Sequence, residues 1–369
     1  MASAPNDWWG TGMRIHERLI LVSFLRSLFN TMIASFILFT LVDLFDHMGS
    51  LIDNSATPSM IARYYLFKGA WIVDQVLPIA VLMATLFTVG GMARYLELTA
   101  LYSSGLSLIR IARPLLTAGL ILTAVALGWR EYVLPEANLR MWRVWEVEIH
   151  KQTEKLRPTR QIAATGPDGR LYYARKYDPN TKTVTGMKVM AMRGSVVIER
   201  VDAERAEWDG EHWILHHGTR RSFEGDREVV ETFEVLTASD LAITPRGLYR
   251  TRIRQENMNI RQLRDHRDLL RMTGGDPVSV NVDIHFQLAF PLVNFIVVCL
   301  GVVLASGPRK TTVASGFGLT MLVGFGYYLL MVFGRSLGHS GVLPPLVAGW
   351  GGNFLYAILT WGLFARARR

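Results

Sequence analysis

This chain has one cysteine, Cys299, in 369 residues, so no disulfide framework holds any part of it together. Acid is scarcer than base, with 31 Asp and Glu against 40 Lys and Arg, a formal net charge of +9. No G-x-x-x-x-G-K-[ST] loop is present. Ser306–Thr312 (SGPRKTT) has the residue types of a phosphate loop without its spacing. No cleavable signal is expected at the start, because Met1–Gly12 is polar with two tryptophans and no small-residue cleavage site comes after it. No internal repeat is evident, which leaves an inverted-repeat transporter unsupported. His212, His216 and His217 cluster in one expected strand, but no cysteine is near and no metal site is expected. No Ser-His-Asp spacing can be argued either. These absences exclude nucleotide hydrolysis and leave no enzyme chemistry to assign.

Long uncharged runs are what the chain does have. Six apolar segments divide three and three around about 150 residues of polar sequence: Leu28–Phe45, Gly69–Gly91 and Ile111–Val133, then Phe286–Ser306, Val313–Gly334 and Gly341–Ala365. Runs near 20 residues cross a bilayer core as helices. Cys299 lies in the fourth run and reads as a small buried hydrophobe. Basic residues crowd one set of short loops: Arg14, Arg18 and Arg26, then Arg94, Arg110 and Arg113, then Arg309 and Lys310, then Arg366, Arg368 and Arg369. The opposite loops carry Arg63, Lys68 and Arg335. Lys and Arg are retained on the cytoplasmic side, so both termini are expected there and the polar block in the periplasm of a bacterial inner membrane. The placement of this charge argues against a nucleic-acid partner. Residues 13–27 read as an interfacial amphipathic helix.

The polar block changes period. Arg170–Tyr177, Val184–Met192, Ser195–Val201, His212–His216 and Val229–Leu236 are rich in β-branched and aromatic residues, with turn signals between them. Asp209–Gly210 between Trp208 and Trp213 marks a hairpin. Short strands at this spacing suggest a sandwich or jelly-roll. Helices are expected at Glu136–Lys155 and Ile260–Thr273, the latter ended by Gly274, Gly275 and Pro277. The fold expected is a polytopic α-helical membrane protein with six transmembrane helices, three plus three, and an inserted periplasmic all-β jelly-roll-like domain. Its divisions are an extension at 1–12, helices one to three at 13–134, the β domain with flanking helices at 135–280, and helices four to six at 281–369.

Met92–Ser107 (MARYLELTALYSSGLS) is too polar to span and too regular for a loop. Leu98, Leu101, Tyr102 and Gly105 recur at helical spacing beside Arg94 and Glu97, and Gly105 can stop the helix. Such a short amphipathic helix lies on the membrane as a connector or docks in a partner's groove. Within the spans, Asp74 is an ionisable group and so a functional candidate, with Arg335 as a neutralising partner. Gly316, Gly318, Gly324 and Gly326 permit close helix contact.

The run Leu77–Leu116 resembles the second span, coupling helix and start of the third span of the lipopolysaccharide-export permeases, the LptF/LptG family. It shares a Pro-containing span, a Glu in a short helix, then a G-L-S and a basic-proline start. Asn259–Leu270 (NIRQLRDHRDLL) through Leu288–Ser306 (LAFPLVNFIVVCLGVVLAS) resembles that family's return from its periplasmic domain, and Leu343–Pro345 leans toward the LptG branch. The resemblance covers about residues 13–369. It implies a half-transporter and no enzyme: a heterodimer with a homologous permease, a separate cytoplasmic ABC ATPase dimer that supplies ATP and Mg, and no cofactor on this chain. It also implies lipopolysaccharide as cargo, passed to a periplasmic jelly-roll protein. Glu97 would meet a basic residue of the ATPase, with Arg94, Leu98, Leu101 and Gly105 around it. Asn30, Phe317, Tyr327 and Asp74 would border a lateral gate or lipid cavity. Asp43 stands where family members can carry a basic lipid-contacting residue, so that role is not transferred. Two rival readings are a membrane-anchored sensor or scaffold and a secondary transporter.

Overall fold

The computed structural model describes residues 15–150, 159–193, 196–224, 227–245, 248, 258–306 and 313–367. The expected extension at 1–12, the SGPRKTT turn beyond Ser306 and the side chain of Phe317 lie outside them. Helix α1 is Ile15–Asp53, α2 Pro58–Arg94 and α3 Glu97–Ser103. Helix α4 runs Leu108–Ile149. After six strands come α5 Ile260–Thr273, α6 Val278–Ala305, α7 Val313–His339 and α8 Pro345–Ala367. Among the described residues, five helices are long and apolar enough to span: α1, α2, α4, α6 and α7 from Gly318 onward. The sixth expected span forms the 23-residue α8. At about 1.5 Å per residue its length of roughly 34 Å matches a bilayer core.

The core lies along α2 and α6, where two thirds of the most apolar stretch is buried. Ile72, Val76, Leu82 and Leu86 of α2 meet Val293, Val297 and Leu300 of α6, with Leu115 of α4 beside them. Pro78, Pro114 and Pro291 all sit inside helices. In lipid, neighbouring helices and local adjustments re-satisfy the backbone groups that such prolines free. Contacts fix the directions: Gly349 and Asn353 of α8 meet His285 and Ala289 of α6, so these two run parallel. Tyr327 and Val323 of α7 meet Asn353 and Tyr356 in reverse order, so α7 runs antiparallel to α8. Among the described residues the closest helix contacts fall at other glycines than expected. A Cβ at Gly349 would lie 2.7 Å from His285 Cβ and 2.9 Å from its carbonyl carbon, and one at Gly338 would lie 2.5 Å from Ala348 Cβ. Of the expected glycines, Gly326 sits close, 3.1 Å from the Tyr356 hydroxyl, whereas Gly324 sits at an ordinary 3.5 Å and Gly318 faces open space.

Helix α4 is longer than the expected third span. It continues through a π turn at Trp129–Val133, an α segment at Leu134–Arg143 and a second π turn at Val144–Ile149. The expected separate helix after the span is therefore the same helix prolonged.

The strands are β1 Thr159–Thr165, β2 Leu171–Asp178, β3 Thr183–Arg193, β4 Val196–Trp208, β5 Trp213–Glu224 and β6 Arg227–Ala238. They form one antiparallel sheet in sequential order β1 to β6. The connections among the described strands are those of a meander, with no Greek-key crossing. The turn at Asp209–Gly210 closes β4 onto β5 with Trp208 opposite Trp213, as the sequence predicts. Leu241, Ile243 and Leu248 fold back over one face, where buried Trp213 donates its indole N–H to the Ile243 carbonyl at 2.7 Å. The other face docks on the bundle: Ala163 and Tyr173 pack with Leu263 and Leu270 of α5 and Val280 and Ile284 of α6.

Gly349→Val should prevent the close α6–α8 approach and destabilise the bundle by about 1–3 kcal/mol. Thermal unfolding in detergent reads this, and an unchanged melting temperature would contradict the backbone-to-backbone contact.

Candidate functional site

Polar and charged groups gather at the two ends of the bundle. At the end that carries the start of α1, α2 stops at Arg94 and the chain breaks at Tyr95 and Leu96. Leu96 adopts φ +62°. That left-handed conformation is rare for a branched side chain and turns the chain sharply. The seven-residue α3 comes next, shorter than the 92–107 expected, so Arg94 belongs to α2. Leu98 is buried in the main core, Leu101 packs against it, and Glu97, Arg94 and Tyr102 are exposed. Gly105, at φ +82°, ends the elbow. Its N–H donates to Tyr102 O at 2.9 Å, and Leu106 N–H to Leu101 O at 3.2 Å. Two apolar anchors thus hold a short rigid helix with an acidic, solvent-facing edge. It forms an elbow between α2 and α4, a shape open both to a plain connector and to a docking helix.

The opposite end holds buried ion pairs. Arg130 stands in the first π turn of α4 and grips Asp74 of α2 with two bonds, Nε to Oδ1 at 2.8 Å and Nη2 to Oδ2 at 2.9 Å. Its guanidinium lies 4.1 Å from the ring centre of Phe290 on α6. The two side chains are 8 % and 3 % exposed, so solvent does little to screen the pair. The expected partner Arg335 instead donates from Nε to Asp283 Oδ1 at 2.9 Å, and His339 Nε2 lies 2.9 Å from the same oxygen. Arg130 and Arg335 both lie over Phe286, at 5.7 and 5.2 Å. Arg335 is engaged by Asp283, and Arg130, within the π turn itself, takes its place on Asp74. Trp129 then donates to Ala70 O at 3.0 Å, and Arg130 faces α2.

Further along, Asp43 accepts from Lys68 Nζ at 2.5 Å and from Tyr65 at 3.1 Å. Tyr64 and Trp145 pack beside them, 4.8 Å apart. Lys68 is thereby neutralised within the chain. Sequence reasoning does not single out Asp283, Arg130 or the Asp43–Lys68 pair as sites. The legible signal is the i, i+4 spacing of Arg335 and His339 above an acid at the start of α6.

Of the residues expected around one lipid cavity, Asn30, Tyr327 and Asp74 have separate surroundings, and the side chain of Phe317 lies outside the described residues. Asn30 is exposed on α1, Tyr327 is buried and donates to Asn353 Oδ1 at 2.8 Å, and Asp74 belongs to the Arg130 pair. An apolar groove of about 640 Å³ does lie along α1, lined by Leu25, Leu28, Phe29, Met32, Ile33 and Phe36, with Val73 from α2. Among the described residues, no group of three His, Cys, Asp or Glu side chains is arranged to hold a metal ion.

The chain is a polytopic helical membrane protein with a short, partly exposed helix at one end and a β sheet at the other. The model of the lipopolysaccharide export system permease family LptF/LptG matches residues 18–366, and the chain belongs to that family. The match takes both branches together, so it does not divide LptF from LptG. Among curated proteins, none matches this chain. The protein is a multi-pass inner-membrane transport subunit rather than an enzyme.

Removing one partner of a buried pair strands the other charge, at roughly 3–5 kcal/mol. Asp74→Ala and Arg130→Leu should each destabilise the protein by that order, and the double variant by clearly less than their sum. Additive losses in detergent unfolding would show that the pair is uncoupled.

Proposed function

We propose that this chain is the membrane permease half of an ATP-driven lipopolysaccharide exporter. It pairs with a homologous permease, is driven through α3 by a cytoplasmic ABC ATPase dimer, and passes lipid to a periplasmic jelly-roll protein. One observation carries this reading: α3 and the sheet occupy opposite ends of a bundle whose helices run unbroken between them. Lifting a lipid with several acyl chains out of the bilayer exposes many CH₂ groups at about 0.8 kcal/mol each. Passive binding cannot cycle against that, and the sequence carries no phosphate loop of the kind that binds nucleotide. ATP and Mg then belong to the partner, and this chain receives work mechanically.

The charge bias of the loops supports cytoplasmic termini and elbow and a periplasmic sheet. Glu97 would pair with a basic residue on the motor, fixing register and orientation more than affinity. The sheet's last strand, β6, has no further partner among the described strands and exposes Val229, Val230 and Val235. An open apolar edge of this kind accepts another sheet by strand addition, the contact that a jelly-roll bridge needs.

Glu97→Lys should abolish lipid-stimulated ATP turnover and ATP-dependent release of lipopolysaccharide while membrane insertion persists. Normal release by that variant sinks the proposed role of α3. Deleting Gln161–Leu241 should leave assembly with the ATPase intact and stop cross-linking of lipid to periplasmic acceptors. Undiminished cross-linking would mean that the sheet is not the route.

A further inference from the structure

Helix α5 bridges the gap between the membrane bundle and the sheet. Its first residue, Ile260, donates its backbone N–H to Glu131 of α4 at 3.0 Å. Just before it, the Met258 carbonyl accepts from Gln287 of α6 at 2.7 Å. Glu131 closes the apolar stretch of α4, and Gln287 stands where the uncharged run of α6 begins, so this end of α5 lies at the rim of the bundle. Its far end meets the sheet. Gly275 packs close to Tyr173 of β2, and Lys188 of β3 reaches over Gly274. With 14 residues the helix spans about 21 Å from rim to sheet.

One flank of α5 is cationic. At 3.6 residues per turn, Arg261, Arg264 and Arg271 fall within an arc of about 80°. All three are exposed, and none has an ion-pair partner within 4 Å among the described residues. Arg267 differs, because Asp268 holds it at 2.9 Å. The acids nearby are Asp265 at the edge of the flank, Asp268 within the arc and held by Arg267, and Asp276 beyond the helix end, so four arginines against Asp265 and Asp268 leave the helix face net positive. His266 is pushed below its ordinary pKa by burial and adds no charge to the flank. The inward face, Leu263 and Leu270, is fully buried, so helix rotation cannot hide the arginines. An arginine fork is suited to bidentate contact with phosphate oxygens. Arg261 and Arg264 form one station and Arg271 a second, about 10 Å further along the helix.

We propose that Arg261, Arg264 and Arg271 form a track that holds the phosphate groups of the exported glycolipid as it passes from the bundle rim to the sheet. This rests on the reading of the chain as a lipopolysaccharide permease. The occupant is the cargo's phosphates rather than bulk anionic phospholipid, because the track continues away from the bilayer surface toward the β domain.

The test uses the assembled transporter in phosphatidylcholine nanodiscs. Binding is measured for lipopolysaccharide, for phosphatase-treated lipopolysaccharide and for phosphatidylglycerol. The wild type should lose about tenfold in affinity when the phosphates are removed, the scale of one strong charge-assisted contact. The triple variant R261Q/R264Q/R271Q should bind both forms of the glycolipid nearly alike, and R261K/R264K/R271K should keep part of the discrimination, which separates lost charge from lost folding. Equal phosphate dependence in the wild type and the glutamine variant overturns the track and leaves the permease reading standing. An equal loss toward phosphatidylglycerol overturns it in favour of a general membrane contact. Failure of the wild type to bind lipopolysaccharide at all overturns both.

Discussion

The Asp74–Arg130 pair is the constraint on which the bundle's geometry turns. Neither charge tolerates isolation in a low-dielectric interior, so α2 and α4 are confined to the one register that keeps both bonds. Phe290 presses against the guanidinium from α6 and ties the second group of helices to the first. Phe286 extends the tie to Arg335 and so to Asp283 and His339. Four helices are thereby fastened at one end of the bundle by charge and ring contacts. Apolar packing, which is non-directional, could not select that register alone.

Burial is distributed to match. Helices α2 and α6 have two thirds of their apolar windows inside the structure, whereas α1 has 11 % and α7 has 17 %. Phe29, Phe45, Leu322 and Phe325 all face outward. In water such surface would drive aggregation, but acyl chains are as apolar as leucine and exert no such force. The outward faces of α1 and α7 are therefore left to lipid or to another membrane chain, while the inner side of α7 stays fastened to α6 at Asp283.

What the sequence shows and what it hides divide along physical lines. The apolar runs, the Asp209–Gly210 turn, the stop of α5 at Gly274 and the stop at Gly105 are local, and each is set by neighbours in the chain. The partner of Asp74 is not local. Period-3.6 reasoning places a side chain on a face only while the helix stays α, and the π turn at Trp129–Val133 breaks that assumption just where Arg130 sits. The same turn hides the length of α4, since the polar residues after it suggest a separate helix. Strand order is hidden for a different reason: alternation gives a strand its faces but never its neighbour. The elbow residues Glu97, Leu98 and Leu101 are legible because amphipathic spacing is itself local, although the boundary at Leu96 is not.

In the proposed role, a chain driven from outside must carry displacement without absorbing it. Helix α2 is 37 residues long, about 55 Å, and it runs from beside the elbow to the Asp43–Lys68 contact at the far end. A push on α3 reaches α2 through the two residues Tyr95 and Leu96. Were these in a flexible loop the push would dissipate as local motion. Instead Tyr95 N–H is bonded to Gly91 O at 3.0 Å, Leu96 N–H to Ala93 O at 3.3 Å and Ala100 N–H to Leu96 O at 3.0 Å, so hydrogen bonds continue across the bend. Leu98 and Leu101 then lock the short helix onto the core. The strained backbone of Leu96 sets the angle of the elbow, and the bonds around it keep that angle fixed. Stiffness at the bend and register at the ion pair are two halves of one requirement. A lever moves its far end only when both its joint and its fulcrum hold.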